Sequence, residues 1–233
     1  MSAIWSREML SYLYSPLFWG LAAAFYGLGG YFFTVNLIGT RSASLFWYFG
    51  DSAFVLLFLA PLLTMRLFAE ERTRGTDELL FTLPLPTWKV VLGKYLASLS
   101  VLALLFASSI VYLFILVAVG EPEWGPIFSS YLGVFLLGGL FLSVGLFASS
   151  LTSSQLLAAV GGFALLLLLW ISGWAADAIP GPVGEAFRQV SVSARLEDFL
   201  RGILDTGHLV FFLSLILAFL GLTTLVLEKR VVR

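Results

Sequence analysis

Apolar runs of about the twenty residues that a bilayer requires divide the chain at 17–38, 52–69, 95–119, 127–151, 156–174 and 209–227. The second ends its clean apolar stretch at Met65, so its helix is expected to continue through Arg66 into the polar segment that follows. Ahead of the first run, Ile4, Trp5, Met9, Tyr12 and Leu13 recur at helical spacing, with Arg7, Glu8 and Ser11 elsewhere. This predicts an amphipathic helix over 2–15 lying in the interface, with Pro16 opening the first span. Leu196, Phe199, Leu200, Ile203 and Leu204 recur in the same way opposite Arg195, Glu197, Asp198, Arg201 and Asp205. They predict a second amphipathic helix at the other interface. The pattern is that of a single all-α polytopic membrane domain over residues 1–233, with six transmembrane helices and two interfacial ones.

The connections differ in character. Gly39 to Asp51 forms one loop, in which Phe46 to Phe49 reads as an aromatic belt. Gly120 to Pro126 is a tight turn with Glu121 and Glu123, and Thr152 to Gln155 is an uncharged hairpin turn. Ala175 to Gly207 is a long connection. Arg66 to Lys94 is the one long polar segment, in which Arg66, Arg72, Arg74, Lys89 and Lys94 alternate with Glu70, Glu71, Asp77 and Glu78. Glu70 to Phe81 is rich in helix formers, and Pro84 and Pro86 mark where that helix stops.

Composition agrees with the pattern. The chain is 60% apolar and 12% charged with mean hydropathy +0.99 and net charge −1, more apolar surface than a soluble domain of this size could bury. Its start, from Met1 to Pro16, lacks the uninterrupted apolar core and small-residue cleavage site of a secretory signal, so no removal is expected. Placing the Arg66–Lys94 loop, Arg7 and the tail Glu228 to Arg233 inside leaves only Arg41, Arg188, Arg195 and Arg201 outside. The positive-inside tendency therefore puts both termini in the cytoplasm.

Small residues recur in the spans. Gly20, Ala24, Gly27 and Gly30 in the first would allow a close helix contact, as in a dimer seam, or would suit a lipid-facing helix equally. Gly133, Gly138, Gly139, Ser143 and Gly145 in the fourth and Ala158, Ala159, Gly161 and Gly162 in the fifth favour tight packing.

No Asp, Glu, Lys, Arg or His falls near the middle of a span, which removes the relays that proton-coupled carriers use. The serines of the spans have no His or Asp partner at depth for nucleophilic catalysis. Asp51, Asp177 and His208 sit at the outer edge and read as interfacial or capping residues. There is no cysteine, one histidine and no P-loop motif. No cofactor, no metal and no nucleic-acid partner is expected, and the chain is expected not to be an enzyme. A transporter of this composition must take its energy from another subunit.

Glu70, Glu71, Arg72, Thr73, Arg74, Gly75, Thr76, Asp77, Glu78, Leu79 and Leu80, then Thr82-Leu83-Pro84 and Gly93-Lys94, resemble the signature of ABC-2 type permeases. Ser15-Pro16, Met65-Arg66, and Glu197, Arg201-Gly202 and Asp205 within Ser193 to Gly207 are similar to the gliding-motility-associated branch. The second proline in Leu85-Pro86-Thr87-Trp88 departs from the pattern at the entry to span three.

The resemblance implies a half-transporter of the bacterial inner membrane. Two such subunits, copies or paralogues, would pair around a path, and each would rest a cytoplasmic coupling helix on a separate ABC ATPase. An extracytoplasmic accessory protein and either export or force transmission are compatible with it. Glu71, Arg72, Arg74, Asp77 and Glu78 would then ion-pair with a cleft on the ATPase while Leu79, Leu80 and Phe81 anchor the helix. Gly75 would allow a bend. From the residues alone the same charges could be a solvated face with pairs such as Arg74 with Glu78. A non-transporting scaffold or anchor for an envelope complex is the alternative from another class.

Overall fold

The computed structural model describes residues 2–40, 44–75, 86–178, 181, 184 and 189–231. All secondary structure among them is helical. The order is α1 (Ser2–Leu13), α2 (Pro16–Thr40), α3 (Phe46–Thr64), α4 (Arg66–Thr73), α5 (Thr87–Ala107), α6 (Ile110–Val119), α7 (Trp124–Leu151), α8 (Gln155–Ala178), α9 (Val192–Leu200) and α10 (Thr206–Val231). Among the described residues six helical segments are long and apolar enough to cross a membrane, with α3 and α4 counted together and α5 and α6 counted together. Arg41 and Arg188 lie outside the described residues.

α7 is the axis of the bundle and the most buried span. Its glycines explain how so many helices reach it. A Cβ at Gly133 would stand 2.5 Å from Phe199 Cβ of α9, and one at Gly138 would stand 2.5 Å from Leu102 Cδ2 of α5. A Cβ at Gly145 would stand 2.1 Å from Thr64 Oγ1 of α3. With no hydrophobic drive between helices in lipid, such close approaches supply the packing. Around these seams Leu56, Leu57, Val101, Leu102, Leu137 and Phe141 are fully buried.

Several boundaries differ from those the pattern suggests. α3 starts at Phe46, so the residues read as an aromatic belt form its first turn, and Tyr48 and Phe49 are core residues against Tyr112 and Tyr131. Span three begins at Thr87 rather than 95 and breaks between α5 and α6. There Ser108 and Ser109 turn their hydroxyls back onto Leu105 O and Phe106 O, a local alternative that competes with the helical ladder. α9 stops at Leu200, because Gly202 takes φ +88° and the Ile203 amide donates to Asp198 O in a Schellman closure. Leu196, Phe199 and Leu200 are buried as the pattern requires, whereas Ile203 and Leu204 fall past the helix end and are exposed.

Candidate functional site

Pro61 sits inside α3 and deprives it of one ladder donor. The helix runs on to Thr64, turns at Met65 and restarts as α4. Met65 has no side chain able to cap the new helix, and the cap comes instead from α7. Ser149 Oγ accepts from the Phe68 and Ala69 amides at 3.1 and 3.2 Å and donates to Met65 O at 2.9 Å. Further along α4, Arg72 Nη1 donates to Thr152 O at 3.2 Å and Thr73 Oγ1 lies 2.6 Å from Ser153 O. The α7–α8 turn thus holds one side of α4 along its length.

The other side is held by ions. Lys94, near the start of span three, is 1% exposed. Its ammonium donates to Glu71 Oε1, Glu8 Oε1 and Leu67 O, each at 2.8 Å, and lies 5.3 Å from the centre of the Phe68 ring. A lysine has three donors, and here each has an acceptor on α1 or α4. Arg7 Nη2 stands 3.8 Å from Glu71 Oε1 at the rim of this cluster.

Arg66 completes the junction. It donates to Ser15 Oγ at 2.6 Å and to Ser11 O at 3.3 Å, and its guanidinium lies 4.7 Å from the centre of the Tyr12 ring. Tyr12 is buried and donates to Leu63 O at 2.8 Å, and burial pushes its phenol above the ordinary value while Arg66 opposes that shift. It stays a neutral donor at physiological pH. α1, α4 and the start of α5 are therefore joined by buried polar contacts.

The residues proposed from sequence to face an ATPase divide into groups. Glu71 is buried and turned inward to Lys94. Arg72 is half-buried against the α7–α8 turn. Arg74 has a 70% exposed side chain, and it pairs with Glu70 at 2.6 Å. α4 ends at Thr73 and Gly75 takes φ +65°, so the helix stops before the prolines. Thr76, Asp77, Glu78, Leu79, Leu80 and Phe81 lie outside the described residues.

In the first span, Gly20, Ala24 and Gly27 are exposed, and a Cβ at Gly20 or Gly27 would meet nothing within 4 Å. Gly30 instead approaches Tyr112 Oη. Of the residues at the opposite edge, Asp51 accepts from Asn36 Nδ2 at 2.9 Å and His208 Nε2 lies 3.6 Å from Asp198 Oδ2. The side chain of Asp177 is outside the described residues.

Sequence reasoning missed Glu8, Lys94 and Ser149. The available signal was Glu8 on the polar side of an amphipathic helix, together with a lysine placed at the mouth of an apolar span, where a charge is rare unless paired. Ser149 carried no signal, since its partners are backbone amides distant in sequence.

The family described as ABC-2 family transporter protein matches residues 48–230, from the first turn of α3 to the end of α10. No curated protein matches this chain. The match spans well over half of the 233 residues, and the chain belongs to the ABC-2 family of transporter membrane proteins.

Proposed function

We infer that this chain is the membrane permease half of an ATP-driven exporter, that α4 and the residues after it form its coupling element, and that ATP is hydrolysed by a separate ABC ATPase subunit. A second copy or a paralogue would complete the path. The observation that carries this reading is the attachment of α4. It follows α3 with no slack between them and is fixed to α7 by Ser149 and to α1 and α5 by Lys94. Displacement of α4 by a partner is therefore transmitted to three spans at once.

Charge supports the orientation. The α4 end carries Arg7, Arg66, Arg72, Arg74, Lys89 and Lys94, which the positive-inside tendency assigns to the cytoplasm of a bacterial inner membrane. The narrower likeness to the gliding-motility branch rests on the sequence residues alone.

The experiment reverses Arg74→Glu and Glu78→Lys together, two charges of the proposed coupling element, of which Arg74 has a 70% exposed side chain. The variant should insert and fold, and its ATPase should fail to copurify or lose transport-linked hydrolysis in reconstituted membranes, because misplaced charge at a desolvated contact costs several kcal/mol. Full binding with full stimulation would overturn the reading. Wild-type chain whose bound ATPase drives no transport would mark it as an anchor.

A further inference from the structure

At the end of the bundle away from α4, the start of α3, the α6–α7 turn and the end of α9 enclose a cleft of about 470 Å³, a size that small-molecule ligands occupy. Leu45, Phe46, Ile127 and Leu200 line it, and Leu45, Ile127 and Leu200 belong to the buried core. One wall is rigid: Gly202 packs so closely on Pro126 that a Cβ there would lie 3.1 Å from Pro126 Cγ. The cleft is therefore formed in advance of any occupant.

Its polar groups are unusual in kind. Ser130 lines the cleft, is 1% exposed, and makes no hydrogen bond among the described residues. Ser98, Ser109, Ser143 and Ser150, equally buried in the spans, each donate to a carbonyl of their own helix. A hydroxyl that lines the cleft and does not return to its own helix is available to donate to a ligand acceptor there. Around the mouth stand the carboxylates of Glu121 and Glu123 and the guanidinium of Arg201, which pairs with Glu197 of α9. Trp124 and Phe128, exposed on the first turns of α7, mark this level as the membrane interface.

An apolar wall at headgroup depth, two carboxylates and one guanidinium match a zwitterion whose cationic end donates hydrogen bonds. We propose that this cleft binds a phospholipid headgroup that joins a primary amine to a phosphate, drawn from the leaflet at that end of the bundle. The ammonium sits between Glu121 and Glu123, the phosphate faces Arg201, and Ser130 donates to a phosphate or ester oxygen. Charge-assisted bonds at both ends of one headgroup select it over lipids that supply only one of them.

The test uses the purified full chain, stripped of native lipid in detergent and offered phosphatidylethanolamine, phosphatidylcholine or phosphatidylglycerol with identical acyl chains, with retention read by native mass spectrometry. Phosphatidylethanolamine should be retained several-fold better than the other two. Glu121→Gln with Glu123→Gln should bring it down to the level of phosphatidylcholine, and Arg201→Gln should weaken both. These exposed positions carry no core packing, so the variants should elute as the wild type does. Equal retention of the three lipids by wild type, or a preference that survives the double glutamine variant, would overturn the proposal.

Glycerophosphoethanolamine, which has no acyl chains, should displace the lipid, and displacement as strong by ethanolamine alone would remove the phosphate arm and with it the proposal. A photo-crosslinking residue in place of Phe46 in native membranes should yield lipid adducts. A protein adduct there would instead assign the cleft to a peptide partner.

Discussion

Lys94 Nζ and Glu71 Oε1 stand 2.8 Å apart inside the junction of α1, α4 and α5, and Glu8 closes the same contact from the N-terminal helix. Two carboxylates about nine-tenths buried share one fully buried ammonium. Taking such a lysine out of water is costly unless it is paired and hydrogen-bonded, so the cluster holds only while all three helices stay together.

Lys94→Met should therefore leave Glu8 and Glu71 buried without the ammonium they share, with the exposed Arg7 at the rim of the cluster, at a cost of roughly 3–5 kcal/mol. The unfolding transition in detergent should fall, and amides of α1 should exchange faster. Lys94→Met combined with Glu8→Gln and Glu71→Gln should recover much of the loss, since no charge is then stranded. A single variant as stable as wild type would show that the cluster does not hold α1.

Ser149→Ala tests the cap that α7 supplies to α4. Three hydrogen bonds go, and the Phe68 and Ala69 amides lose the acceptor that Ser149 supplies, for about 1–3 kcal/mol if water does not replace it. Hydrogen exchange should quicken at those two amides. Ser150→Ala is the control, because that hydroxyl only returns to Phe147 O of its own helix. Equal protection in both variants would remove Ser149 from the role.

Much of this architecture is legible in the chain because a bilayer demands long apolar runs, and the runs around Val101, Leu140 and Leu166 leave little choice of element. What escapes the sequence is where a run bends and what fixes the bend. Pro61 is visible, yet the break it accompanies falls at Met65 and is secured by Ser149, more than eighty residues later. Glu71 illustrates the limit for the site. Its place among the charges of a polar loop suggests a solvent or partner face, but only the fold reveals that Lys94 lies within reach. Gly75 showed itself as a place for a bend, whereas its use as the stop of α4 depended on the turn adopting φ +65°.

The glycines make a contrast that separates internal packing from self-association. Gly145→Ala would drive a methyl into Thr64, whose hydroxyl is already bonded to Ala60 O, and overpacking of this kind costs about 1–3 kcal/mol. Gly27 meets nothing within 4 Å in the same chain. Gly27→Leu should leave the unfolding temperature of the monomer unchanged and, if span one lies in a dimer seam, shift the detergent complex toward monomer by light scattering. An unchanged mass would take span one out of the seam, and an unchanged melting point for Gly145→Ala would contradict the α3–α7 contact.

The orientation on which the proposed function depends can be read with two cysteines, because the native chain has none. Arg74 has a 70% exposed side chain just past α4 and its ion pair is with Glu70, so Arg74→Cys presents a thiol to solvent and leaves the Lys94 ion pairs in place. Ala194 is exposed on α9 at the opposite end, where a cysteine adds one sulfur to a solvent-facing side chain. The basic residues concentrate at the α4 end, and transfer of that many cationic groups across the bilayer during insertion is disfavoured. In intact cells, then, a membrane-impermeant maleimide should label Ala194→Cys and spare Arg74→Cys, and permeabilisation should make Arg74→Cys reactive. If Arg74→Cys labels in sealed cells while Ala194→Cys does not, α4 faces away from cytoplasmic ATP, and the coupling role proposed for it fails with the orientation.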